Sequence, residues 1–129
     1  MNGKFLLDTN IVISLFSGDA SISEKIAVAS EIYLPAIVIG ELYYGAYNST
    51  KRQANIERIE AFKLEIPILD CDEYTANYYG QIKSELKRRG TPIPENDIWI
   101  AAMAMQYDLV LTTRDAHFSN IENIALTKW

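Results

Sequence analysis

The sequence predicts an α/β fold, with a mainly parallel sheet covered by helices on both faces. Three observations lead there. Short apolar runs such as Lys4-Phe5-Leu6-Leu7 and Leu109-Val110-Leu111-Thr112 have the length and continuity of strands buried on both sides. Between them lie stretches whose apolar residues recur every three or four positions, as in amphipathic helices. The two kinds alternate along the chain, which is the pattern of strand–helix–strand crossovers.

In order, the strand at Lys4–Leu7 stops at Asp8-Thr9-Asn10, a polar turn or cap, and Ile11–Phe16 continues as a short helix ended by Ser17-Gly18-Asp19. A helix is predicted over Ile22–Ser30, and a strand over Ile32–Leu34 ended by Pro35. Ile37, Val38, Glu41, Leu42 and Gly45 share helical spacing, so Glu41 rides on a helix with mostly apolar surroundings. After the polar break Asn48-Ser49-Thr50, residues Ile56, Ile59 and Phe62 mark another helix, and Leu64–Leu69 alternates like a strand whose Pro67 suits an edge. From Asp72 to Arg89, Tyr78, Ile82 and Leu86 recur every four, and Gly90-Thr91-Pro92 ends that helix. Pro94 opens the next helix, which runs to Tyr107; strands at Leu109–Thr112 and Ile124–Leu126 complete the chain.

At 129 residues the chain is long enough for one core, and with 49% hydrophobic and 22% charged residues its composition is globular. No repeat, linker or internal boundary interrupts it, so residues 1–129 are expected as one domain. No apolar run approaches the roughly 20 residues of a membrane span, and the N-terminus lacks the features of a signal peptide, so a cytoplasmic protein without membrane contact is expected. The single cysteine, Cys71, has no partner for an internal disulfide and is expected as a buried, reduced thiol. A net charge of −5 argues against a broad basic field that coats nucleic acid.

Four acids stand out by position. Asp8 directly follows the first strand and Asp115 the strand ending at Thr112-Thr113, so both belong at the carboxyl rim of the sheet, where ligand crevices form. Asp97 falls in the first turn of the helix opened by Pro94, where the helix dipole favours an anion. Glu41, on a mostly apolar helix surface, needs either solvent or a cation. Oxygen ligands of this kind suit Mg²⁺ or Mn²⁺, whereas zinc prefers nitrogen and sulfur. Such an ion would acidify a water nucleophile and stabilise charge on a phosphoryl group. Taken singly, each acid also has a plain reading as a cap, a helix-dipole partner or a solvated surface group. Glu95 reads better as a first-turn charge than as an outer acid of the site, and His117, beside Phe118, as structural or peripheral.

The segments Leu6-Leu7-Asp8-Thr9-Asn10, Val38–Ala46, Pro94–Ala102 and Leu111–Phe118 resemble, in order and spacing, the four blocks of PIN-domain ribonucleases of the VapC toxin kind. The resemblance spans nearly the whole chain. It implies a single PIN-like domain with Mg²⁺- or Mn²⁺-dependent endoribonuclease activity on a structured RNA substrate such as transfer or ribosomal RNA. It also implies a small cognate antitoxin protein and a homodimer. By position, Asp8, Glu41, Asp97 and Asp115 would be the catalytic, metal-site acids; Thr9 and Asn10 would shape the first loop, and Thr113 would orient Asp115 or a water at the metal. Tyr33, Tyr43, Tyr44 and Tyr47, with Leu42, Ile56, Ile59 and Phe62, would form core and an apolar groove for an antitoxin helix. Lys83, Lys87, Arg88, Arg89 and Arg114 are candidate phosphate contacts, although charged helix faces are usually just solvated.

Three rival functions remain beside this one. A receiver-type phosphoacceptor also gathers acids around Mg²⁺, but it needs an acidic pair after the first strand, where Asp8 is followed by Thr9-Asn10, and a lysine after a late strand, and none directly follows Leu109–Thr113. A catalytically silent binding module on the same fold is a second, and a nuclease acting on DNA or flap structures a third.

Overall fold

The chain is described by a computed structural model over residues 3–129. Five parallel strands, β1 (Lys4–Leu7), β2 (Glu31–Pro35), β3 (Ile68–Leu69), β4 (Val110–Thr112) and β5 (Leu126–Thr127), form one sheet in the order β3-β2-β1-β4-β5. Six helices connect them: α1 (Thr9–Phe16), α2 (Ala20–Val28), α3 (Ala36–Tyr47), α4 (Arg52–Lys63), α5 (Glu73–Arg89) and α6 (Glu95–Gln106). The central strand shows why both faces must be covered. Phe5, Leu6 and Leu7 are all buried although successive side chains point to opposite faces.

The strand order sets the position of the site. The chain steps outward from β1 to β2 and β3, then returns to add β4 on the other side of β1. Connections leaving the carboxyl ends of β1 and β4 therefore diverge, which opens a crevice between them. Registers Leu6 with Leu111 and Leu7 with Thr112 align these two ends, and the Asp8 amide extends the ladder by donating to the Thr112 carbonyl.

Local chemistry explains the helix ends. The Asp8 carboxylate caps α1 through the Thr9 amide, and Asp19 caps α2 through the amides of Ser21 and Ile22, so α2 begins two residues before the predicted Ile22. A capping box of Asp72 and Thr75 starts α5, and Gly90, at φ +69°, ends it in the left-handed conformation that glycine adopts at little cost. Ile82 and Leu86 face the core as their spacing predicts, while Tyr78 is half-buried. Pro94 stands at the cap position of α6, with the amides of Asp97 and Ile98 bonded to its carbonyl.

Three expectations are corrected. Of the alternating run Leu64–Leu69, only Ile68 and Leu69 are strand; Leu64 and Glu65 instead close the last turn of α4 through the carbonyls of Ala61 and Phe62, and Leu64 is exposed. The short strand is nevertheless an edge, and the Pro67 carbonyl accepts from the Leu34 amide. The last strand falls at Leu126–Thr127 rather than Ile124–Leu126, after a turn that places Asn123 at φ +62°. Cys71 is exposed on the loop before α5, with Sγ 3.6 Å from Met103 Sδ, because that loop runs over the surface instead of entering the core. Among the described residues, no helix is long and apolar enough to cross a membrane.

Candidate metal centre

The four acids, drawn from four separate segments, line one cleft of about 560 Å³ together with Thr9, Asn10, Ile13 and the Pro94–Asn96 segment. Asp8 enters from the end of β1, Glu41 from the middle of α3, Asp97 from the first turn of α6, and Asp115 from the start of a 3₁₀ turn, Ala116–Asn120, that follows β4. The sequence had given no sign of that turn.

Asp8 is the most constrained of the four. It is 4% exposed, and its Oδ1 accepts from the Thr9 amide at 2.8 Å while Oδ2 accepts from Thr113 Oγ1 at 2.7 Å and Asn10 Nδ2 at 3.3 Å. Burial pushes its pKa up despite the Thr113 and Thr9 hydrogen bonds, and the charges of Asp97 and Asp115 add to the rise. Burial likewise raises Glu41, with Asp8 and Asp97 adding repulsion, and raises Asp97, where His117 opposes the shift. The Thr9 side chain offsets part of the Glu41 rise. By geometry, Glu41 Oε1 and Thr9 Oγ1 are both buried without a hydrogen-bond partner.

The residues expected to support the site make specific contacts. Asn10 brackets the two loops: its amide nitrogen reaches Asp8 and Thr113, and its oxygen accepts from the Arg114 amide at 3.2 Å. Thr113 donates to Asp8 and accepts from the Asp115 amide at 3.0 Å, so its hydroxyl joins both strand-end acids. Arg114 is turned away to Asp19 at 2.9 Å, which makes it a brace between the β4 loop and the start of α2. Glu95 lines the cleft, but its carboxylate is engaged by Lys83 at 2.6 Å and by the Tyr79 hydroxyl.

His117, expected as structural or peripheral, lies between two of the acids: its Nε2 is 2.6 Å from Asp97 Oδ2 and its Nδ1 2.7 Å from Asp115 Oδ1. Asp97, Asp115 and His117 each offer a ligand atom within 4.8 Å of the others. The donor set therefore contains a nitrogen as well as oxygens. The proximity of His117 to Asp115 in sequence was visible, but Asp97 is 20 positions away and meets it only because α6 and the 3₁₀ turn converge.

These residues suit a divalent cation. Three carboxyls are held by burial above their ordinary range, and one of their oxygens is buried unpaired, a cost that a cation between them would relieve. A second cleft, of about 270 Å³, opens between α1, α3 and α4; Ile13, Phe16, Leu42, Ala46 and Ile59 line it together with Glu41, Asn55 and Arg58. Ile59 and Phe62 are core residues as expected, Tyr44 and Tyr47 are exposed, and Tyr43 is tied to Glu60 and Lys63.

Comparison with known proteins agrees with this arrangement. The PIN domain family matches residues 5–124. A protein of Haemophilus influenzae named ribonuclease VapC2 is 36% identical over 129 residues, covering 98% of both chains. One of Shigella flexneri named tRNA(fMet)-specific endonuclease VapC is 33% identical, again over 98% of both. The crystal structure of DNA-bound VapBC from Salmonella typhimurium contains a chain that superposes with a TM-score of 0.92 at 33% identity, covering 98% of each. This similarity does not favour a receiver-type phosphoacceptor. The chain belongs to the PIN domain family, in its VapC branch.

Proposed function

We propose that the chain is a metal-dependent endoribonuclease, the toxin of a toxin–antitoxin pair, hydrolysing phosphodiester bonds in a structured RNA such as transfer or ribosomal RNA. The observation that carries this reading is the convergence of Asp8, Glu41, Asp97 and Asp115 on one cleft at the point where the sheet's connections diverge. Relatives named as ribonucleases, one of them specific for tRNA(fMet), support the reaction class.

Asp8, Asp97 and Asp115 would hold the cation, with Glu41 facing it from α3. A divalent ion there supplies Lewis acidity, which activates water as a nucleophile and neutralises charge on the phosphoryl group. The chain's own part is preorganisation. Thr113 and the Thr9 amide fix Asp8 in one rotamer, Thr113 and Asn10 hold the β1 and β4 loops at a set spacing, and the capped 3₁₀ turn presents Asp115. Such bracing keeps the acids in place without reorganisation when substrate arrives. The four acids account for −4 of the chain's net charge of −5, and a divalent cation among them would offset part of that local charge where a phosphate must approach.

The apolar cleft between α1, α3 and α4 is the expected seat of an antitoxin helix, in line with relatives solved as VapBC assemblies. Self-association as a homodimer belongs to the same reading and is checked by light scattering. The deciding experiment is RNA cleavage by purified protein with Mn²⁺, Mg²⁺ or EDTA. Asp97→Asn should stay folded and lose on the order of 10²-fold or more in rate. Wild-type rates from that variant would remove Asp97 from the site.

A further inference from the structure

The chain contains a single histidine, and its ring sits between two of the acids of the cleft. We propose that His117 contributes an imidazole nitrogen to the cation held by Asp97 and Asp115, tilting the site's preference from Mg²⁺ toward transition-metal ions, Mn²⁺ included. This rests on the metal-dependent reading above and goes beyond it by choosing between the ions that reading leaves open.

The three ligand atoms fall within 4.8 Å of one another, a span in which one cation can touch all of them. The ring is well placed to stay there. Asp115 accepts from the His117 amide, Phe118 beside it is fully buried, and the His117 and Phe118 ring centres are 5.0 Å apart. Mg²⁺ takes oxygen ligands in near-ideal octahedral geometry and keeps several waters, whereas imidazole is a common ligand of first-row transition ions. A nitrogen in an otherwise oxygen site thus penalises Mg²⁺ relative to its competitors. A hydrogen-bonding bridge that merely spaces Asp97 from Asp115 would lack this selectivity, and the two roles separate by measurement.

Because there is one histidine, untagged protein gives an unambiguous spectrum. Mn²⁺ bound to the wild type should show electron spin-echo modulation from a directly coordinated imidazole nitrogen, and His117→Gln should lose it. In Mn²⁺ titrations with Mg²⁺ as competitor, the preference for Mn²⁺ should fall about ten-fold or more in His117→Gln, with Mg²⁺ affinity little changed. Mn²⁺ binding to the wild type without nitrogen modulation would overturn the proposal while leaving the metal-dependent reading standing, as would equal weakening of both ions in the variant. Failure of the wild type to bind Mn²⁺ at all would overturn both.

Discussion

Thr113 Oγ1 donates a 2.7 Å hydrogen bond to Asp8 Oδ2, joining residues 105 positions apart in the chain. The bond is buried, and the same hydroxyl accepts from the Asp115 amide, so one atom links the acids at the ends of β1 and β4. The site is thereby a property of the sheet rather than of any one loop.

Replacing Thr113 with valine keeps the shape and removes that link. Thr113→Val should leave the protein folded but destabilised by about 1–3 kcal/mol, the usual cost of depriving a buried acceptor of its partner. Metal affinity and cleavage rate should fall roughly 10- to 100-fold, as when other groups that orient metal ligands are lost. Thr113→Ser should restore most of both. Calorimetric metal titration and melting of the three proteins check this; a valine variant with wild-type metal affinity would show that Asp8 does not need the brace.

The raised pKa values of Asp8 and Glu41 carry a sign for stability. A carboxyl whose folded pKa lies above its unfolded value stabilises fully below about pH 4, near the ordinary carboxylate value, and loses that contribution as pH rises through the raised folded value. Exposed carboxyls such as Asp19 and Asp72, which hydrogen bonds hold low, act in the opposite direction, so the comparison must be between wild type and variant. In EDTA, Glu41→Gln should melt a few degrees above wild type at pH 8, and the gap should close toward pH 4. Saturating Mn²⁺ should reverse the order at pH 8 by stabilising the wild type more. A gap independent of pH, or a variant less stable than wild type in EDTA, would contradict the assigned direction.

What the sequence could and could not show follows from the range over which each feature is determined. Asp8 and Asp115 were legible because each directly follows an apolar strand, and Asp97 because Pro94 announces a helix start. Glu41 was legible as a charge on an apolar helix face. His117 was not, since its partner Asp97 comes from another element and the intervening turn is 3₁₀, with no apolar periodicity to mark it. Leu64 and Cys71 failed for a related reason: both are apolar or weakly polar residues in connecting segments, where local pattern suggests burial but the path of the chain lies over the surface. Of the residues expected at the groove, Leu42 and Ile59 line the cleft between α1, α3 and α4, and the part that α1 adds to it follows from packing alone.

That cleft offers a clean test of the partner. Gly45 lines it, and a Cβ added there meets nothing within 4 Å, so the backbone accepts a side chain that projects into the groove. Gly45→Leu should stabilise the free protein by roughly 0.5–1 kcal/mol, because glycine is a poor residue in the middle of a helix. Inhibition by a cognate antitoxin should weaken at least ten-fold. Full inhibition of a folded Gly45→Leu protein would place the antitoxin helix on another surface.

The cut itself separates two chemistries. Water attacking phosphorus in line, with departure of the 3′ oxygen, leaves a 5′-phosphate and a 3′-hydroxyl. Attack by the RNA's own 2′-hydroxyl leaves a 2′,3′-cyclic phosphate and requires a general base within reach of that hydroxyl. His117 is the one histidine available, and both its ring nitrogens lie against carboxylate oxygens, at 2.6 Å from Asp97 and 2.7 Å from Asp115. A ring nitrogen bound to the cation, as proposed above, is not available as that base. Cleavage should therefore stop in EDTA, return with Mn²⁺ or Mg²⁺, and give fragments that ligate directly through their 5′-phosphates. In His117→Gln the end chemistry should be unchanged whatever happens to the rate. Cyclic-phosphate ends, or full activity in EDTA, would show that the acids of the cleft do not act through a metal even though the fold is that of a PIN domain.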